Sequence, residues 1–114
     1  MNYIKVLDCT LRDGGYVNNW EFGQKNIEQI LDNLVISNLD YIELGFLKDV
    51  EYDKNKTVFS KINEIKELCK NYSEQEFCIM INFGEFNIEN LPQSDFQNIN
   101  IRLAFKKKDR NLAL

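Results

Sequence analysis

The segment Leu7-Asp8-Cys9-Thr10-Leu11-Arg12-Asp13-Gly14-Gly15 closes an apolar stretch with a guanidinium, a carboxylate and two glycines in succession. Parallel α/β folds keep their active sites at the C-terminal ends of the strands, so this order sets a cation beside an anion where chemistry is done. Three later apolar runs each carry one chemically capable residue: Glu43 within 41–47, Asn82 near the end of 77–83, and Arg102 within 99–105. If these runs are parallel strands, the four positions converge on one sheet edge. Two carboxylates and an asparagine make an oxygen-rich set suited to a hard divalent cation such as Mg²⁺ or Mn²⁺. An arginine beside them stabilises negative charge developing on a substrate oxygen, as in an enolate, and does so more strongly where water is excluded.

Each residue also has a plainer reading. Arg12 and Asp13 can be a strand-end ion pair, worth about 0–1 kcal/mol if exposed. Asn82 can close a turn, and Arg102 can be a surface cation. Glu43 is harder to dismiss, because an ionised carboxylate inside an apolar strand needs a cation or hydrogen-bond donors. Gly14-Gly15 is not followed by the Lys-Ser/Thr of a nucleotide-binding loop, so the pair reads as a turn that needs positive φ. Tyr16, Trp20 and Phe22 nearby form either an aromatic ligand wall or a plug of core, and their place in a long polar loop favours the wall.

Histidine is absent from the sequence. Nucleophile triads of the usual kind are therefore excluded, as is any metal held by imidazole from this chain. Cys9 lies beside the motif but has no histidine to activate it. With Cys69 and Cys78 it forms neither an even disulfide framework nor a close metal-type pair, which suits a reducing compartment. No apolar stretch approaches the ~20 residues needed to cross a bilayer, and no signal-peptide pattern precedes Ile4, so no membrane partner and a cytoplasmic location are expected. The net charge of -4 argues against a nucleic-acid partner. The basic block Lys106-Lys107-Lys108 reads as a solvated strand end.

The elements that must position these residues follow from periodicity. The 114 residues, 44% hydrophobic and 28% charged, are enough for one domain with a modest core. Ile4 to Thr10 reads as a strand and 14–19 as a loop. Ile27, Ile30, Leu31, Leu34 and Val35 trace one face of a helix over about 23–38. Tyr41 to Leu47 has the compact apolar character of a strand covered on both faces. Val58, Ile62, Ile65, Leu68, Cys69 and Tyr72 mark a second helical stripe, and 77–83 and 99–105 read as further strands. Between them 88–96 is ambiguous, since Pro92 must sit in the first turn of a short helix or break it. The order β-α-β-α-β-(short α)-β, with connections long enough for right-handed crossovers, predicts a parallel sheet covered by helices.

The run Asp8-Cys9-Thr10-Leu11-Arg12-Asp13-Gly14 resembles the Asp-x-Thr-Leu-Arg-Asp-Gly signature of the DRE-TIM metallolyases. That superfamily includes hydroxymethylglutaryl-CoA lyase, isopropylmalate and homocitrate synthases, and 4-hydroxy-2-oxovalerate aldolase. The likeness continues through Tyr41-Ile42-Glu43-Leu44-Gly45-Phe46 and, more loosely, Ile101-Arg102-Leu103-Ala104, and so spans nearly the whole chain. It implies a TIM (β/α)8 barrel with Mg²⁺, Mn²⁺ or Zn²⁺ at its C-terminal face, making or breaking a carbon-carbon bond through an enolate. By that resemblance Asp13 is a metal ligand, Glu43 a carboxylate in or beside the metal site, and Arg12 the group that steadies the enolate oxygen. Asn82 and Arg102 are assigned to binding a small oxo-acid or acyl substrate. Two features depart from the family: the His-x-His that completes its metal site is missing, and Tyr16 is the nearest counterpart of the histidine base of the oxovalerate aldolases.

An eight-stranded barrel takes roughly 250 residues, so 1–114 is expected to be the N-terminal half-barrel of an aldolase-type domain, with about four strands. Such a half leaves two unpaired edges and an inner face expected to be apolar. It must self-associate or pair with a C-terminal half. The expected function is the N-terminal part of a metal-dependent aldolase, lyase or Claisen-type acyltransferase. The alternative is a non-catalytic half-barrel module that acts in assembly, with Arg12 and Asp13 as a structural pair.

Overall fold

The computed structural model describes residues 4–92 and 96–113. An α/β unit is built on one parallel sheet, with strands in the order β1 (Leu7–Asp8), β2 (Tyr41–Leu47), β4 (Glu76–Asn82) and β5 (Ile99–Ala104), while β3 (Val58–Phe59) pairs with the C-terminal end of β2. Helices α1 (Gln24–Ile36) and α2 (Ile62–Cys69) cover one face, and a short α3 (Arg110–Ala113) follows β5. Residues 93–95 of the ambiguous 88–96 segment lie outside the described residues; a single 3-10 turn occupies Ile88–Asn90 before them.

Strand alternation sorts the side chains. Ile42, Leu44, Leu47, Phe77, Ile79, Ile81 and Ile99 face the helices and join Ile27, Leu31, Ile62, Ile65 and Cys69 in one buried core. The opposite face carries Glu43, Cys78 and Asn100 in one cross-strand row and Phe46, Met80 and Arg102 in the next. This face was expected to be apolar, and it is instead mixed, because the period of two sends the aliphatic residues under the helices. The register of β2 shifts between Glu43 and Phe46, so these two residues share a face although three positions apart. Gly45 makes the shift possible. Its φ is +151°, and a Cβ there would lie 1.9 Å from the carbonyl oxygen of Thr57.

Two local departures from the periodicity have clear causes. The stripe beginning at Val58 is not helical at its start, because Phe46 and Lys48 donate their backbone N–H groups to Thr57 and Phe59 and hold 58–59 as a strand. The helix starts only at Ile62, where the Glu64 carboxylate turns back to accept from the backbone of Ser60 at 2.7 Å and of Lys61 at 3.1 Å. The first strand is likewise shorter than the apolar run 4–10 suggests. Beyond Asp8 the chain turns at once, as the Asp8 carboxylate accepts from both the backbone and the hydroxyl of Thr10. No helix among the described residues is long and apolar enough to cross a membrane.

Candidate functional site

The signature segment folds around a single carbonyl. Cys9 O accepts from the backbone N–H groups of Arg12, Asp13 and Gly14 at 3.1, 2.7 and 3.3 Å. Leu11 anchors the turn in the core with no exposed surface, and its own carbonyl accepts from the buried Thr57 hydroxyl at 2.7 Å. With Leu11 pinned inward, Arg12 is directed across the inner face toward β2.

There it meets Glu43. Arg12 Nε lies 2.6 Å from Glu43 Oε1, and Arg102 Nη1, arriving from β5, lies 2.7 Å from Oε2. The carboxylate is fully buried, whereas the Arg12 and Arg102 side chains are 16% and 43% exposed. One acid thus holds two cations, and Asp13, in contact with Arg12, brings the four groups to no net formal charge. Burial works against the charge on Arg12, but the hydrogen bond and attraction from Glu43 outweigh it and hold the guanidinium above its usual range. Cys78, the cross-strand neighbour of Glu43, is pushed up to about 11 by burial first and by the Glu43 charge second, so it is an inert thiol.

Asp13 stands outside this cluster. Its carboxylate is 68% exposed and lies 3.3 Å from Arg12 Nη1. Asn82 closes β4 opposite Ala104 and lines a neighbouring cavity of about 860 Å³, together with Tyr16, Trp20, Phe46 and Lys48. Phe46 joins the two places, since its ring lies 6.0 Å from the Arg12 guanidinium carbon. Arg12, Glu43 and Arg102 are therefore in direct contact, Asp13 is beside them, and Tyr16 and Asn82 belong to the adjoining cavity.

Gly14 and Gly15 do not have the positive φ expected of them; among glycines that backbone is found at Gly23, Gly45 and Gly84. Gly15 is required for a different reason. The Trp20 indole lies against it, and a Cβ at position 15 would fall 1.9 Å from Trp20 Cδ1. Of the three aromatic residues in this region, Tyr16 and Trp20 line the cavity, while Phe22 packs against the core. Thr57 went unrecognised in the sequence, because the carbonyl it serves is 46 positions away and no local pattern marks it.

A divalent ion does not fit the described residues by themselves. Both oxygens of Glu43 are engaged by guanidinium groups, so a cation there would have to displace them. Among the described residues no three His, Cys, Asp or Glu side chains gather in a way that would hold a metal. Of the two carboxylates read as ligands from the sequence, Asp13 is the exposed one, in contact with Arg12. What the arrangement offers an anion is the remaining N–H donors of two arginines fixed by one buried acid, with Asp13 against Arg12; the cavity linked to them through Phe46 carries Tyr16 and Trp20 but also the carboxylates of Glu51, Asp53 and Glu85. Comparison of the chain with protein-family models, with curated proteins and with solved structures gave no match.

Proposed function

We propose that the chain carries the oxyanion-stabilising part of a carbon-carbon lyase or acyltransferase site, in the N-terminal half of an aldolase-type barrel. The observation that carries this reading is the Arg12–Glu43–Arg102 cluster on the open face of a parallel sheet, linked through Phe46 to a cavity large enough for a small oxo-acid or acyl substrate. In the cleavage direction, a 4-hydroxy-2-oxo acid loses the bond between its third and fourth carbons. The electron pair passes to the enolate of the released 2-oxo acid, and the hydroxyl proton leaves as the aldehyde forms. Arg12 faces the developing oxyanion with donors that Glu43 has already oriented, so little reorganisation accompanies the charge. Arg102 and Asn82 bind the substrate's polar end, and Tyr16 on the cavity wall is this chain's candidate for the hydroxyl proton, which it accepts only as phenolate. Asp13 is the ligand this chain would offer to a divalent ion.

Oxalate, a planar dianion shaped like the enolate of a 2-oxo acid, tests this. Calorimetric titration should show saturable binding by the wild type that is lost in Arg12→Ala. No binding, or equal binding by the variant, would reject the reading. Release of 2-oxo acid from short 4-hydroxy-2-oxo acids with added Mn²⁺, abolished by Arg12→Ala, is the matching activity assay.

A second reading, assembly without catalysis, is favoured by the outer edge of β5, which has no strand partner among the described residues. The same edge would pair with a second copy or with a C-terminal half in a complete barrel. Sedimentation that stays monomeric at high concentration would remove the self-pairing version.

A further inference from the structure

Trp20 is the one tryptophan of the chain, and its backbone is unusual. Asn19 and Trp20 are consecutive left-handed residues, with φ of 56° and 59°. Asn adopts this conformation readily, but a bulky aromatic does so at a cost of order 1–2 kcal/mol and only where surrounding contacts dictate it. Those contacts are present. Trp20 N donates to Gly15 O at 2.9 Å, and Thr57 N donates to Trp20 O at 3.1 Å. The strained backbone aims the indole back over Gly15, where Nε1 donates to the carbonyl oxygen of Arg12 at 2.6 Å. The ring meets Phe46 edge-on at 5.4 Å, the same Phe46 that lies under the Arg12 guanidinium.

We infer that Trp20 is a positioning residue for Arg12: its indole N–H fixes the Arg12 backbone while its ring seats Phe46 under the guanidinium. Glu43 holds the far end of the Arg12 side chain and Trp20 holds the near end. Trp20 adds to the backbone bonds that Arg12 N makes to Cys9 O and Gly15 N makes to Arg12 O, and it alone of these contacts also seats the Phe46 ring under the guanidinium. Core filling does not account for Trp20, because the residue is only half-buried and one side of it lines the cavity. The glycine opposite the indole has the same explanation, since any side chain at position 15 would expel the ring and leave the Arg12 carbonyl with only the longer bond from Gly15 N. The functional weight of this inference rests on reading Arg12 as the anion-binding group.

The test separates the two. Because Trp20 has no second tryptophan beside it in the sequence, growth on the benzothiophene analogue of tryptophan replaces its N–H with sulfur at this position alone. Trp20→Phe is the genetic counterpart. Exchange of the Arg12 Nε–H proton, observed by NMR, should quicken about ten-fold in either protein, the scale of one lost hydrogen bond. The Arg102 guanidinium, which Trp20 does not touch, should be unchanged. Oxalate affinity should fall by about the same factor, with urea stability nearly preserved in the analogue-bearing protein. Unaltered Arg12 Nε–H exchange in the folded analogue-bearing protein overturns the inference whatever oxalate does. A wild type that ignores oxalate while the exchange still quickens leaves Trp20 as the anchor of Arg12 and removes the anion-site reading instead.

Discussion

Arg12 Nε, in the turn after β1, and Glu43 Oε1 on β2 lie 2.6 Å apart, with the carboxylate wholly out of solvent and the Arg12 side chain partly so. Removing one partner of a buried ion pair costs more than the pair contributes, because the survivor stays buried and unpaired. Glu43→Gln keeps the shape but deprives two guanidinium groups of their counter-charge. Water reaches part of both arginines, so the expected loss is about 2–3 kcal/mol, below the range for fully buried pairs. Arg102→Ala, on the more exposed partner, should cost about 1 kcal/mol. Urea unfolding of the three proteins checks the order; an Arg102 loss larger than the Glu43 loss would contradict the assignment of Glu43 as the hub.

Gly15→Ala should lower stability by about 1–3 kcal/mol through overpacking and shift Trp20 emission to the red as the indole is driven toward water. Gly45→Ala should be worse, since its Cβ would meet the backbone of Thr57, which cannot swing aside as a side chain can. Gly84→Ala meets nothing within 4 Å and carries only the strain of its positive φ, so it serves as the control. Thermal unfolding should rank the three, with Gly45→Ala least stable.

Stability should decline in alkali. Burial pushes the Cys69 thiol up to about 12 and, together with the Glu43 charge, the Cys78 thiol up to about 11. In the unfolded chain thiols ionise near roughly 8.5. Below that value both states keep the proton and nothing changes; above it the unfolded chain sheds protons that the folded chain retains, so stability falls as pH rises and levels off only beyond the folded values. The slope is about 1.4 kcal/mol per pH unit for each thiol. Urea midpoints at about pH 7.5 and about pH 10 should differ accordingly, and Cys78→Ala should flatten the dependence.

Asp13 offers a contrasting case. Its exposed contact with Arg12 should be nearly silent in stability, so Asp13→Ala is expected within about 0.5 kcal/mol of wild type. Calorimetry with Mn²⁺ should show at most weak binding, removed by the same substitution. Tight binding that survives Asp13→Ala would show that the ion sits elsewhere and that Asp13 is not its ligand.

The element pattern was largely legible. β2 occupies the apolar run 41–47 as read, α1 falls inside its amphipathic stripe, and β4 and β5 lie within a residue of their runs. What escaped were features whose cause is distant in sequence. The two-residue β3 depends on backbone donors from β2, and the late start of α2 follows from it. The role of Gly15 depends on an indole five positions later that only a left-handed Trp20 can bring back. Glu43 was recognised as a carboxylate in need of donors. Which donors it has could not be read, since one arrives from 31 positions before it and the other from 59 positions after it.

Composition and periodicity by themselves determined that this chain forms parallel βα units, that it supplies no histidine, and that Glu43, Asn82 and Arg102 sit on strands, with Arg12 and Asp13 in the segment that follows the first. These are properties of residue type and local spacing, which short-range sterics and hydrophobic burial translate directly. Only the tertiary structure decided how those residues divide, with Glu43 shared between two arginines, Asp13 left to solvent, and Asn82 and Tyr16 on the cavity wall. That division depends on the Glu43–Phe46 register shift in β2 and on which side chains cross the sheet, and both are set by strand pairing between segments that no local pattern links.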